Sequence, residues 1–199
     1  MLQSEPIILA SKSASRRAML DAVGVAYEAV PAEIDERAVE QSLVGSSPSE
    51  VAEALAVAKA SAIAAGHDER LVLGSDSLVV CNGERFDKPQ SRDNAADHLR
   101  SFSGKVIELH SGAALVRGNG CEWSGGDVAR LHVRPLSDAF IEDYLQAEWP
   151  AVGYCVGVFR IEALGPHLFE RIEGDQFTVL GMPLLKVLTA LREQGVLAS

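Results

Sequence analysis

Residues 71–80, LVLGSDSLVV, constrain the fold more than any other stretch of this chain. They are rich in β-branched and apolar side chains and end at Asn82-Gly83, a dipeptide suited to a two-residue hairpin turn, so they predict one arm of a hairpin running toward ERFDKP. A strand this apolar is expected to be buried. Asp76 nevertheless interrupts it, and burying an unpaired carboxylate costs several kcal/mol. Either the carboxylate is paired, bound to a metal or placed at an active-site cleft, or it sits at a bulge or strand end and bonds to backbone, helped by Gly74.

The rest of the chain supplies partners for that strand. Residues 7–10 read as a short buried strand and 16–23 as a helix stopped at Gly24, with Ser15 or Ser13 as its N-cap; 27–30 can return as a strand. A helix over 48–65 is opened by Ser47 and Pro48 and closed by Gly66, with Val51, Leu55, Ala58 and Ala62 as its buried stripe. A further helix over 92–102 precedes two β-type runs within 105–134, separated by GNG, and Ser137 caps a helix through Glu148. HLFERIEG reads as a strand, and MPLLKVLTALREQG as a closing helix with Leu184, Val187, Leu188 and Leu191 on one face. Hairpins mixed with crossover helices predict an α/β (mixed α+β) fold around a mixed sheet. With 199 residues and no linker, one domain over 1–199 is expected.

Charge and composition narrow the function. A formal net charge of -10 argues against a nucleic-acid surface, so an anionic ligand must be met locally. Cys81, Cys121 and Cys155 are odd in number and in no C-x-x-C pair, which suggests neither a disulfide framework nor a zinc site and fits a reducing cytoplasm. Glu5 stands where a signal peptide would be basic, and no apolar run reaches the ~18 residues of a membrane span, so no membrane partner is expected. P-loop, Rossmann, α/β-hydrolase and zincin motifs are all missing. The histidines lack metal-type spacing, and Trp123 and Trp149 are packing candidates.

Positive charge gathers at one place in this acidic chain, the stretch LASKSASRRAML. Arg16 and Arg17 in the first turn of a helix oppose the helix dipole unless an anion lies between them. Free backbone N–H groups, the hydroxyls of Ser11, Ser13 and Ser15, and guanidinium forks would suit a phosphate chain; the alternative is a solvated basic turn paired with surface carboxylates. Glu33 and Asp35 of PAEIDE share a face if that segment is extended. Lys59 interrupts an alanine-rich helix face and Lys88 precedes Pro89; singly, each is an ordinary surface lysine. In combination, carboxylates able to hold a divalent metal and cations able to hold phosphate oxygens are what phosphoanhydride hydrolysis requires.

LASKSASRRAML, AEIDE, AVAKASAIA, GSDSLVV, DKP, LRSFSGK and LGMPLLKVLTALR, in that order, resemble the Maf family of nucleoside triphosphate pyrophosphatases over almost the whole chain. Against the family's L-A-S-x-S-P-x-R opening, Ser11, Ser13 and Arg16 match while Ala14 replaces proline. The resemblance implies an elongated twisted mixed sheet flanked by helices, with two lobes around a cleft, shared with the inosine-triphosphatase-like enzymes. It also implies a divalent cation, Mg²⁺ or Mn²⁺, a nucleoside triphosphate substrate and a homodimer. Residue by residue, it makes Asp76 the proton acceptor for the attacking water and Glu33 its partner in holding the metal. It assigns Lys59, Lys88 and Arg16 to phosphate oxygens, beside Ser11 and Ser13. Attack at the α-phosphorus would release a nucleoside monophosphate and pyrophosphate, in a house-cleaning role.

Two branches of that family act on dTTP and UTP or on 7-methyl-GTP, and they differ at positions that fall at Ser15, Ser77 and Glu162. Ser15 and Ser77 match neither branch. Glu162 matches the second, and so does the context YCVGVFRIEALG, although Val156 replaces alanine and Arg160 replaces lysine. The rival reading is a nucleotide-binding regulator of cell division with vestigial hydrolysis. Asp76, Lys59, Lys88 and Arg16 together favour an enzyme, since a pure binder needs no water-activating base.

Overall fold

The computed structural model describes residues 5–67 and 69–198. Its centre is β3 (Val72–Cys81), which turns at Asn82-Gly83 into β4 (Glu84–Phe86), and β3 is paired along its whole length with β5 (Val106–Arg117). A second hairpin joins β5 to β6 (Gly120–Val133), and β7 (Phe169–Glu173) closes that side. On the other side, β1 (Ile7–Leu9) runs parallel to both β3 and β2 (Tyr27–Ala29). The result is a mixed seven-stranded sheet of order β2-β1-β3-β5-β6-β7, with β4 paired to β3.

Alternation along β3 and β5 divides the core. Leu71, Leu73, Ala113 and Leu115 join α1 (Ala14–Ala22) and α7 (Leu184–Glu193) in one apolar cluster, whereas Val79, Cys81, Ile107 and Leu109 join α4 (Arg92–Phe102) and α5 (Asp138–Glu148) in another. All eight are odd-numbered and therefore share one face of the antiparallel pair. Between the two groups on that face lie Ser75, Ser77 and Ser111, so a polar belt separates two apolar lobes. The opposite face is spanned by one helix, α3 (Pro48–Ala64), opened by a capping box in which Ser47 and Glu50 bond reciprocally.

α3 buries Ala52, Leu55, Ala56, Ala60 and Ala64, a stripe rotated from the expected one: of Val51, Leu55, Ala58 and Ala62, Leu55 alone is fully buried. Alanines lie on both sides of this helix, so hydrophobicity could not fix its rotation. Close approach does. A Cβ on Gly74 would lie 2.1 Å from the Ala56 carbonyl oxygen, and one on Gly112 2.5 Å from the Ala52 carbonyl carbon. Only glycine permits this contact, and it draws α3 down onto β3 and β5.

Two short helices went unforeseen. The first starts at the end of PAEIDE, whose Asp35 side chain accepts from the Ala38 N–H and caps α2 (Glu36–Gln41). α6 (Gln176–Val179) precedes α7, on which Ala190 is buried while Leu188 is only partly so. Among the described residues no helix is long and apolar enough to cross a membrane.

Candidate active site

The two strands that share one edge of β3 leave a gap between them. β1 pairs with Val72 and Leu73 and β4 with Val79 to Cys81, so no strand partner covers that edge at residues 74–78. The chain leaving the C-terminal end of β1 forms the serine-rich loop beside this gap, a crevice of the kind in which open sheets bind ligands. Successive β3 side chains then serve opposite faces: Asp76 points to α3 and Ser77 to the serine belt.

On the α3 face, Asp76 is 8% exposed and its Oδ1 accepts from the Lys59 ammonium at 2.5 Å. Lys59 is itself largely buried and also meets Glu36 Oε1 at 2.8 Å. One ammonium thus bridges two carboxylates, one on β3 and one on α2. Burial pushes the Glu36 carboxyl up, but the Lys59 hydrogen bond and charge, with Lys88 and Arg85 farther off, outweigh it and hold the group below its ordinary value. Lys88 is exposed, and its charge acts on Glu36. Arg85 of β4, which sequence reading passed over, pairs with Glu40 of α2 at 2.6 Å and with Asp87 at 3.1 Å.

On the other face the serine loop is knitted together by Arg16. Ser13 caps α1 by accepting from the Arg16 N–H, which settles the choice between Ser13 and Ser15 and leaves Ser15 half-buried in the first turn. The Arg16 side chain donates from Nε to the Gly181 carbonyl at 2.9 Å, from Nη1 to Ser11 Oγ at 3.2 Å and from Nη2 to Ser77 Oγ at 3.1 Å. Ser77 donates to the same Gly181 carbonyl at 3.0 Å, while Ser75 lies 3.2 Å from it and makes its shorter bond to the Gly112 carbonyl at 2.8 Å. Gly181 holds φ at +99°, and a Cβ there would lie 3.2 Å from Ser77 Oγ. Burial lowers the Arg16 guanidinium from its ordinary value, opposed by the nearby Asp76 and Glu36 charges.

The structure therefore brings together Ser11, Ser13, Arg16 and Ser77 as one group, and Asp76 and Lys59 as another beside it. Glu33 joins neither: its side chain is 89% exposed and stands 3.9 Å from Lys12. The carboxylate that reaches Lys59 is Glu36, three residues on, because α2 turns it inward. Glu162 lies exposed in the turn at 161–164, away from any hydrogen bond to Ser15 or Ser77. Its charge acts on Cys155 and Arg160. Among the described residues no group of three or more His, Cys, Asp or Glu converges as a ready metal cage. Asp76 and Glu36 present two hard carboxylates around one ammonium, a donor set that fits a cation whose remaining ligands come from phosphate and water.

A family model and curated relatives match nearly the full length of the chain. A family model described as Maf-like protein matches residues 6–194. A nucleoside triphosphate pyrophosphatase of Nitrobacter hamburgensis is 43% identical over 196 residues, covering 98% of this chain and 97% of its own. A 7-methyl-GTP pyrophosphatase of Rhizobium meliloti is 46% identical over 193 residues, covering 96% and 97%. A solved nucleoside-triphosphatase / dITP/XTP pyrophosphatase from Mycobacterium abscessus aligns at 19% identity over 66% of this chain and 76% of its own, with a TM-score of 0.40.

Proposed function

The chain belongs to the Maf-like family, and on that premise we propose that it is a nucleoside triphosphate pyrophosphatase, cleaving the bond between the α- and β-phosphates to give a nucleoside monophosphate and pyrophosphate. The observation that carries the proposal is the Lys59 bridge between Asp76 and Glu36 at the uncovered edge of β3, next to the Arg16 fork. Asp76 takes the proton of the water that attacks the α-phosphorus. Its Oδ1 is already held by Lys59, so the base is fixed in place before substrate arrives. Three of the five N–H groups of Arg16 are bonded to protein, which leaves two for phosphate oxygens on a fork that cannot swing away. Lys59 and Lys88 supply further positive charge to the phosphate chain.

A divalent cation, Mg²⁺ or Mn²⁺, belongs to the proposal, held by Asp76 and Glu36. When bound it neutralises charge on the phosphates. Excess EDTA should stop turnover and either ion should restore it, and full activity in EDTA removes the metal from the mechanism. For the base, we favour guanine-type rings, with 7-methyl-GTP ahead of UTP and dTTP. The Glu162 carboxylate can accept from both the N1–H and the exocyclic amine of guanine, whereas uracil and thymine need a donor as well. A pyrophosphate-release screen across canonical and modified nucleoside triphosphates tests the whole reading. Release from none of them, with the nucleotides still bound, would leave a regulator.

A further inference from the structure

Glu162 stands on a long segment between α5 and β7 whose only regular pieces are two single-turn 3-10 helices, Ala151–Tyr154 and Gly165–Leu168. The middle of that segment is strained. Val158 is fully buried with φ at +55°, a left-handed backbone that a β-branched residue keeps only when its surroundings impose it. There is little slack on either side. A Cβ on Gly157 would lie 2.4 Å from the Phe159 ring, and one on Gly165 2.4 Å from the Arg160 carbonyl oxygen.

Two side chains of α5 reach across to this segment. The Tyr144 hydroxyl donates to the carbonyl of Val158, the strained residue itself, at 3.1 Å in a buried environment. One turn further along, Glu148 is 4% exposed and its Oε2 accepts from Arg160 Nε at 2.8 Å. A carboxylate buried to that degree needs its partner, so the pair fixes Arg160, two residues before Glu162. Within the segment the Val158 N–H donates to the Cys155 carbonyl at 3.2 Å. Burial and then the Glu162 charge push the Cys155 thiol up, with Arg160 and Lys88 opposing, so Cys155 stands within the field of both the residue proposed to read the base and a lysine proposed to hold phosphate.

We propose that Tyr144 and Glu148 are positioning residues, which clamp residues 155–162 against α5 and so hold Glu162 where it meets the base. This rests on the reading of Glu162 given above. The clamp touches no reacting atom, so its loss should raise KM and blur the choice of base while leaving kcat nearly intact.

The test uses Glu148→Gln and Tyr144→Phe, each in a Cys121→Ser background. Of the three thiols Cys81 is buried, so Cys155 becomes the one that reports alkylation. Each variant should be alkylated several-fold faster than its parent, and its ratio of kcat/KM for 7-methyl-GTP over UTP should fall about tenfold, mainly through KM. The double variant of Glu148→Gln with Arg160→Gln should be no worse than Glu148→Gln alone, since both break one contact. Unchanged alkylation in both variants, their folding checked by thermal melting, overturns the clamp. Faster alkylation with an unchanged base ratio overturns the positioning role. Should the parent release no pyrophosphate from any nucleotide, the proposed activity fails, and the alkylation rate still decides whether α5 holds the segment.

Discussion

At the uncovered edge of β3, the side chains proposed to meet phosphate hang from regular elements: Asp76 from a ten-residue strand, Lys59 from a seventeen-residue helix and Arg16 from the first turn of another. At residues 149–168, by contrast, the base is to be read from a turn held in a strained conformation by side chains of a neighbouring helix. A triphosphate is common to all the substrates such an enzyme could take, and rigid scaffolding serves it. A base varies, and an irregular segment can change its contacts without disturbing the sheet. On the proposed reading, chemistry and choice are built on separate parts of one molecule.

Substitutions can break that division. The largest effect is expected for Asp76→Asn, which keeps the side chain's size and removes the base: kcat should fall ~100- to 10,000-fold for every nucleotide alike, with the melting temperature close to that of the parent. A base-dependent loss would contradict the separation. Lys59→Met comes next. Without the ammonium, Asp76 and Glu36 face each other as like charges, so turnover should drop on the order of 100-fold. Since Glu36 is now held below its ordinary value, the bridge strengthens the fold above the ordinary carboxylate range and fades as pH falls through the lowered value. In the variant, the acid limb of the pH–rate profile should therefore move to higher pH, and an unmoved limb would deny the bridge its electrostatic role.

Smaller effects sharpen the contrast. Glu162→Gln should shift the kcat/KM ratio of 7-methyl-GTP over UTP toward UTP by roughly tenfold with kcat barely altered. An unchanged ratio, with both substrates still hydrolysed, withdraws Glu162 as reader of the base. Glu33→Gln should change activity less than about twofold, because the residue is 89% exposed and touches only an exposed lysine. A loss as large as that of Glu36→Gln, measured side by side, would put the metal-holding carboxylate back at Glu33.

The same division governs what was legible in the sequence. The hairpin at Asn82-Gly83, the helix at Arg92–Phe102 and the capped start of α3 each carry their instructions locally, and each forms where turn and cap chemistry placed it. Asp76 announced itself as a charge in an apolar strand. Glu36 did not, because ERAVEQ, the six residues of α2, has too few apolar residues to show a helical period, and the cap at Asp35 starts the helix that turns Glu36 toward Lys59. The rotation of α3 depends on Gly74 and Gly112, which are distant in sequence. Nothing in YCVGVFR shows that Val158 must be left-handed, since the hydroxyl bonded to its carbonyl comes from Tyr144 on another element.

The carbonyl of Gly181 accepts from Arg16 and Ser77, and the first of these lies 165 positions away in sequence. Translation runs from Arg16 toward Gly181, so the guanidinium is made 165 residues ahead of the carbonyl it bonds. Until then the Arg16 guanidinium lacks the acceptor that fixes its fork, and the contact closes a loop of 165 residues. A chain cut before Gly181 can hold the local hairpins but cannot fix the Arg16 fork. The fork is therefore a late, long-range contact whose formation lags behind that of the local hairpins, in folding as in synthesis.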